Sequence, residues 1–324
     1  MRNTLLILLI ILTLGCEKNT EVPKVDTETL DSLSNWIVYD SIPSNISDIE
    51  FDSRQNLWAI TSNGGLYKFE DSVFISQLKM DDYNFTCFNF DSLGNLWIGT
   101  DKHMIIKYKD SKKQLYQLQS KYDAVATVRE IEPQTEKIIW VYTDSELLKF
   151  STTDWYVMSK DSNQTINDDK ILDNVYLTSG GIIEYNDSEW RMNGFQAHQI
   201  SSIDFRISNQ FDSYNTIKKI IYLDNYILIL SRAGLFNCSK STTDITSFTD
   251  LNDIIETDVK YDVEIKDDEY WVGSSAGLIK YSETNGSVRY NQFNSKLESD
   301  LVWKMAVNTT GLWIINENRL INIK

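Results

Sequence analysis

The stretch that most constrains this chain is Phe90–Thr100, FDSLGNLWIGT, together with its echo FDSRQNLWAIT at Phe51–Thr61. Each ends an alternating apolar run, turns through Asp-Ser-x-x-Asn, and opens a second run that carries a Trp. Alternation puts side chains on opposite faces of a strand, and a tight polar turn between two such runs is a hairpin. The unit recurs more loosely to the end of the chain. With the Trp-bearing strand as ruler, the anchors fall at Trp58, Trp97, Trp140, Tyr176, Leu228, Trp271 and Trp313, in steps of about 39, 43, 36, 52, 43 and 42 residues. A period near 40–45 residues with four strand signals per unit predicts propeller blades rather than a solenoid of helices. The expectation is an all-β, seven-bladed β-propeller of four-stranded antiparallel blades over residues 34–324.

Repeat one sets the pattern with Ile46–Phe51 as inner strand, then Asn56–Thr61, Gly65–Phe69 and an outer Val73–Leu78. Repeat four is the most decayed, with a polar inner segment near Ile166–Lys170 before Asn174–Leu177 and Gly181–Tyr185. Repeat seven stops after three strands, Val302–Val307, Leu312–Ile315 and Arg319–Ile323. Its missing outer strand is expected from Trp36–Asp40, whose Trp36 matches Trp155 and Trp190 at outer positions. That pairing would close the ring and remove an open sheet edge. The connection Gln196–Ser213 is longer than any other between blades and reads either as a functional loop or as a tolerated insertion.

Ahead of the repeats, Arg2 is followed by an apolar core at Leu5–Leu12 and then Thr13-Leu14-Gly15-Cys16. The core is too short for the roughly 20 residues of a membrane span and fits a signal peptide. A small residue directly before Cys16 resembles a bacterial lipobox, which implies a signal peptide over 1–15, lipidation of Cys16 and a membrane anchor. Residues 16–33 are polar and without apolar period, a flexible tether. By analogy with sorting rules, Glu17 after Cys16 favours the outer membrane, periplasmic or surface-exposed. Cys87 and Cys238 sit at non-equivalent repeat positions and read as buried small apolar residues rather than as a disulfide.

The motif FDSLGNLWIGT, with GLYKF in repeat one and GLIKY in repeat six, resembles the two-component regulator propeller repeat. The match is closest in repeats one and two and spans nearly all of residues 34–324. The resemblance implies a sensory ectodomain of the kind carried by membrane histidine kinases and tuned to polysaccharide fragments. Nothing after Lys324 supplies a membrane helix or a kinase, so phosphorelay is not expected to carry over. What remains is a propeller on a lipid anchor that binds a ligand or partner.

The residues offer little catalytic chemistry. His103 and His198 are the only histidines and read as surface residues; a zinc site wants several His or Cys ligands. There is no nucleophile elbow and no phosphate-binding glycine loop, so neither cofactor nor metal is expected. The doublets Asp81-Asp82 and Asp168-Asp169 and the run Asp267-Asp268-Glu269 fall at turns, where solvated acids are ordinary. A distant carboxylate pair could still cleave a glycoside. Asp52 and Asp91 are expected to accept turn N–H groups rather than bind calcium. The Trp residues are expected to pack between blades rather than serve as sugar platforms.

A net charge of −16 repels phosphate backbones and argues against nucleic acid. Propeller geometry brings the loops before each inner strand and those between second and third strands to one face. On this chain they carry Asn45, Asn63, Asn84, Lys102, His103, Arg129, Asp144, Arg232, Ser275, Trp303 and Glu317, the candidate surface for a polar ligand or protein. The reading is a monomeric, lipid-anchored recognition or scaffold module for an envelope protein or glycan. The alternatives are a polysaccharide lyase or hydrolase, and a sensor-like ectodomain working with a separate membrane partner.

Overall fold

The computed structural model describes residues 33–118, 127–133, 138–143, 147–151, 154–158, 174–178, 181–186, 189–191, 217–223, 225–231, 234–239 and 245–324. Cys16 with the leader and most of the tether, the Ile166–Lys170 segment and the Gln196–Ser213 connection lie outside these residues. Among those described, the strands form seven antiparallel sheets, six of four strands and one of three. Sheet one runs Ile46–Phe51, Leu57–Thr61, Gly65–Glu70, Val73–Lys79. Sheets two to six follow in chain order; sheets two, three, five and six begin with Phe85–Phe90, Val128–Pro133, Ile217–Tyr222 and Lys260–Lys266, and the three described strands of sheet four begin with the Tyr176-bearing Asn174–Thr178. Sheet seven is Lys304–Asn308, Gly311–Asn316 and Arg319–Ile323, completed on its outer side by Trp36–Tyr39 from the other end of the chain. The ladder pairs Trp36 with Ile323 and Tyr39 with Leu320, so the expected exchange of a terminal strand is present.

Three outer strands escape the sequence pattern: Lys112–Gln117, Ile245–Ser247 and Gly286–Tyr290. The first is KKQLYQ and almost wholly exposed, so no apolar alternation marks it. A short helix, Thr249–Ile254, follows the second and plugs the space between sheets five and six with Leu251.

Successive sheets face each other through apolar layers. Ile60, Leu66, Phe88 and Ile98 fill the space between sheets one and two. Trp97, Ile105, Val128, Val141 and Phe150 fill the next. Trp36, Trp271, Leu312 and Ile321 join sheets six and seven, and Ile49, Ala59, Trp313 and Leu320 join seven and one. Trp97 and Trp140 are 1% exposed, as inter-sheet packing requires. Burying rings of this size supplies the largest single apolar contributions, on the order of 3 kcal/mol each.

The repeat motif can now be read atom by atom. In sheet two, Asp91 Oδ1 accepts the backbone N–H groups of Leu93 (3.0 Å) and Asn95 (2.8 Å). Its Oδ2 accepts the Asn95 amide at 2.6 Å and the Trp97 indole N–H at 3.0 Å. Asp52 makes the same contacts to Arg54, Asn56 and Trp58. The carboxylate therefore closes the turn and satisfies the one polar atom of a ring that must be buried. Sheet seven substitutes Asn308 Oδ1 for it, 3.1 Å from the Trp313 indole. Sheet six turns instead through Asp267 and Asp268, both at positive φ, and the buried Trp271 indole N–H has no hydrogen-bond partner among the described residues.

The residue three places after the ruler position is a buried polar group in six sheets: Thr61, Thr100, Thr143, Ser231, Ser274 and Asn316. Thr61 Oγ1 accepts the Gly65 N–H at 2.8 Å, and Ser274 Oγ donates to Gly277 O at 2.9 Å. These groups stand in for water at the turn between second and third strands. In the first of those turns Gly64 is at φ +78, and a Cβ there would strike the carbonyls of Met80 and Tyr83.

Candidate functional site

In sheets one, two and six the two kinds of loop expected to share one end meet each other. Ser62 N–H donates to Asn45 O (2.9 Å), Asp101 N–H to Asn84 O (3.2 Å), and Ser275 N–H to Val259 O (2.9 Å). Each bond ties the loop entering a first strand to the turn between second and third strands. Asn45, Asn63, Asn84, Lys102, Arg129, Ser275 and Glu317 are exposed there. Several are already engaged: the Asn84 amide donates to Asp101 Oδ2 at 2.7 Å, Asn63 Oδ1 accepts from Thr61 at 2.6 Å, and Glu317 accepts from Ser299 Oγ at 2.8 Å. The Lys102 ammonium sits 5.9 Å from the Tyr83 ring centre.

Two members depart from the expectation. His103 is 8% exposed and at φ +60, so it is a buried turn residue, not a surface one. Trp303 is half-buried against the apolar layer between sheets seven and one, which removes it as a free platform. Asp144 and Arg232 lie outside the described residues.

Beneath this end lies a group the sequence reading missed. Five first strands share a register shift near their start, at Ile46/Asp48, Phe85/Cys87, Val128/Glu130, Ile217/Lys219 and Lys260/Asp262. A β-bulge bends the strand and re-aims the side chain that follows. In each case the post-bulge residue pairs with the residue two places after the ruler, as Asp48 does with Ile60 and Asp262 with Gly273. Lys304 takes that place in sheet seven, opposite Ile315. The post-bulge positions thus read Asp48, Cys87, Glu130, Lys219, Asp262 and Lys304, with Glu50 and Glu264 two residues further along their strands.

First strands of neighbouring sheets lie side by side in a series that runs through sheets five, six, seven, one, two and three. The charges on them therefore converge. Lys304 Nζ is 2.7 Å from Asp48, and Lys219 Nζ is 2.8 Å from Asp262 and 2.6 Å from Glu264. Asp262 Oδ2 also accepts the Met305 N–H at 2.7 Å, and Asp48 Oδ2 the Phe88 N–H at 3.4 Å. The two aspartates repeat one clasp: a lysine from the preceding sheet on one side, a backbone N–H of the following sheet on the other.

Burial draws the Lys219 and Lys304 ammonium groups down, but Asp262, Glu264 and Asp48 outweigh it and hold both above the ordinary lysine range. Burial pushes Glu264 up to about 7, against the pull of Lys219 and with Asp262 adding to the rise. Glu50 and Glu130 shift upward too, chiefly because protein surrounds them on most sides although water still reaches them. Glu130 feels Lys304, Asp48 and Lys219, charges on sheets seven, one and five, which places all of them around a common centre. Buried in the layer between sheets two and three, the Cys87 thiol is raised by desolvation and then by Asp48, and it forms no disulfide. Among the described residues, no group of three or more His, Cys, Asp or Glu is placed to hold a metal ion.

A signal for this cluster was present in the letters. ISDIEF, VREIEP and YDVEIK alternate apolar residues with charge, and apolar members such as Ile49, Ile131 and Val263 fill the inter-sheet layers. On a strand buried on both sides, charge at the alternate positions has to face a polar centre.

No protein-family model matches the chain, and no curated protein matches it. Solved structures of similar shape do exist. One is the extracellular domain of a putative hybrid two-component system from B. thetaiotaomicron, at 13% identity and TM-score 0.66, covering 87% of this chain and 39% of that one. Another is YCF48 bound to D1 peptide, at 13% identity and TM-score 0.60, covering 89% and 96%. A third is the WD40 β-propeller domain of Doa1, at 11% identity and TM-score 0.57, covering 88% and 94%. This chain spans about two fifths of the length of the two-component structure. At these identities the likeness is one of fold, an all-β arrangement of the propeller type.

Proposed function

We propose that this chain is a seven-bladed β-propeller, lipid-anchored at Cys16 to a bacterial envelope, that recognises an envelope protein or a glycan without transforming it. The observation that carries the reading is the loop end. Its connections are tied pairwise by backbone hydrogen bonds and present amides, a lysine, an arginine and a carboxylate over a wide surface. A pre-organised, mixed-charge face suits polar recognition, because little conformational freedom is lost on binding. The extracellular domain of similar fold supports an exported setting, and the propeller solved with a peptide supports a protein ligand. A sensor role with a separate membrane partner would use the same face.

A glycoside-cleaving enzyme is the second reading, and Glu264 is what favours it. A carboxyl titrating near neutrality can serve as general acid. Against that use, Glu264 is bonded to Lys219, and Asp262 is committed to Lys219 and Met305.

The test is capture from detergent-solubilised envelope beside a glycan array, with wild type and with Lys102→Glu/Arg129→Glu. The proposal expects one saturable partner or glycan class, lost in the double variant. Release of product from a bound polymer, abolished by Glu264→Gln, would establish the enzyme instead.

A further inference from the structure

We propose that Lys219, Asp262 and Glu264 form a proton-operated charge switch at the centre of the fold, with Glu264 as the group that takes up and gives off the proton. The geometry supplies one ammonium group for two carboxylates. Lys219 lies within 2.8 Å of Asp262 and 2.6 Å of Glu264. Asp262 has further donors on both of its oxygens, the N–H groups of Val263 at 2.9 Å and Met305 at 2.7 Å. Among the described residues Glu264 has Lys219 alone as a hydrogen-bond partner, and its side chain is 17% exposed. The surplus negative charge therefore rests on Glu264.

The charges around it come from several strands. Asp262 lies on its own strand, Lys219 on the first strand of sheet five, and Glu50 on that of sheet one. Lys304 of sheet seven faces Asp48, Asp262 and Glu50, and Glu130 of sheet three faces both lysines. On the second strand of sheet six, the cross-strand neighbour of Glu264 is the uncharged Trp271. Among the described residues, five carboxylates thus face two ammonium groups, an excess of three negative charges that falls to two when Glu264 is protonated. Both of these lysines already pair with an aspartate.

Sheet one is an internal comparison. It carries the same Asp-x-Glu pattern at Asp48 and Glu50, with Lys304 bonded to Asp48. Glu50 is more open to water and accepts the Phe51 N–H at 2.9 Å, so its charge is better tolerated. The effect is therefore larger in sheet six than in sheet one.

The sign follows from linkage. Glu264 titrates in the fold at about 7 against 4.5 for the ordinary side chain, so the folded state holds the extra proton between those values. Stability from this group is full near pH 4.5, declines as pH rises, and is gone above about 7. The experiment is a carbon-13 carboxyl titration of the protein, with the Glu264 signal assigned from side-chain correlations. Thermal unfolding of wild type and Glu264→Gln from pH 5 to pH 8 accompanies it. A midpoint near 7 is expected, with a wild-type melting temperature about 3 °C lower or more at pH 8 than at pH 5 and that loss clearly smaller in the variant, where only Glu50 and Glu130 keep their upward shifts. A midpoint at 4–5, or an equal pH slope in Glu264→Gln, overturns the proposal. Should the variant not fold, the wild-type midpoint decides alone, and Lys219→Met should raise it further.

Discussion

The layers between sheets and the centre they surround are made by the same first strands under opposite rules. Ile49 and Val263 are fully buried in apolar layers, while Asp48, Asp262 and Glu264 on the same strands meet lysines. One residue of register separates the two environments. A layer tolerates error in proportion to the apolar area it loses, roughly 25 cal/mol per Å². A charged centre tolerates it according to whether every charge keeps a partner. The fold therefore has a forgiving rim and an exacting middle.

The sharpest way to break this contrast is at Trp97. Trp97→Ala empties the layer between sheets two and three and should cost about 3–5 kcal/mol in denaturant unfolding. Trp58→Ala, at a half-exposed ring in the equivalent position, should cost about half as much or less. Equal losses would mean that the repeats do not differ in packing as the burial indicates.

At the centre, Asp262→Ala leaves Lys219 with one partner and the Met305 N–H with none, a loss of about 2–4 kcal/mol. Asp48→Ala should cost less, because its bond to Phe88 N–H is 3.4 Å where that of Asp262 to Met305 is 2.7 Å. The reverse order would contradict the assignment of the tighter clasp to Asp262.

Smaller again is Asp91→Ala, which removes the acceptor for two backbone N–H groups and the Trp97 indole and should cost about 1–2 kcal/mol. Burial opposes ionisation of Asp91 and Asp52, but the hydrogen bonds from Trp97 and Asn95, and from Asn56 and Trp58, hold both below the ordinary 3.8. Stability from these groups is present above 3.8 and is lost as pH falls through their lowered values. Glu264 acts at the other end of the scale. The pH profile of unfolding should therefore peak between about 4 and 5, with Asp91→Asn flattening only its acid limb.

Much of this was legible in the letters. The Asp-Ser-x-x-Asn turn and the Trp behind it announced a hairpin, and the unpaired third strand Arg319–Ile323 announced the need for Trp36–Tyr39. Outer strands such as Lys112–Gln117 were not legible, since one wet face leaves no alternation to find. The central cluster was overlooked because its charges come singly from strands about forty residues apart and converge only through the fold. His103 was misjudged because a turn residue looks exposed in sequence, whereas this one is buried.

The most direct measurement of the central claim is titration calorimetry of the glycan or envelope protein best retained by the wild-type protein, with product analysis of the same sample. The account predicts saturable binding, no chemical change in the ligand, and loss of the heat signal in Lys102→Glu/Arg129→Glu. Turnover in the cell, or full binding by the double variant, would contradict it.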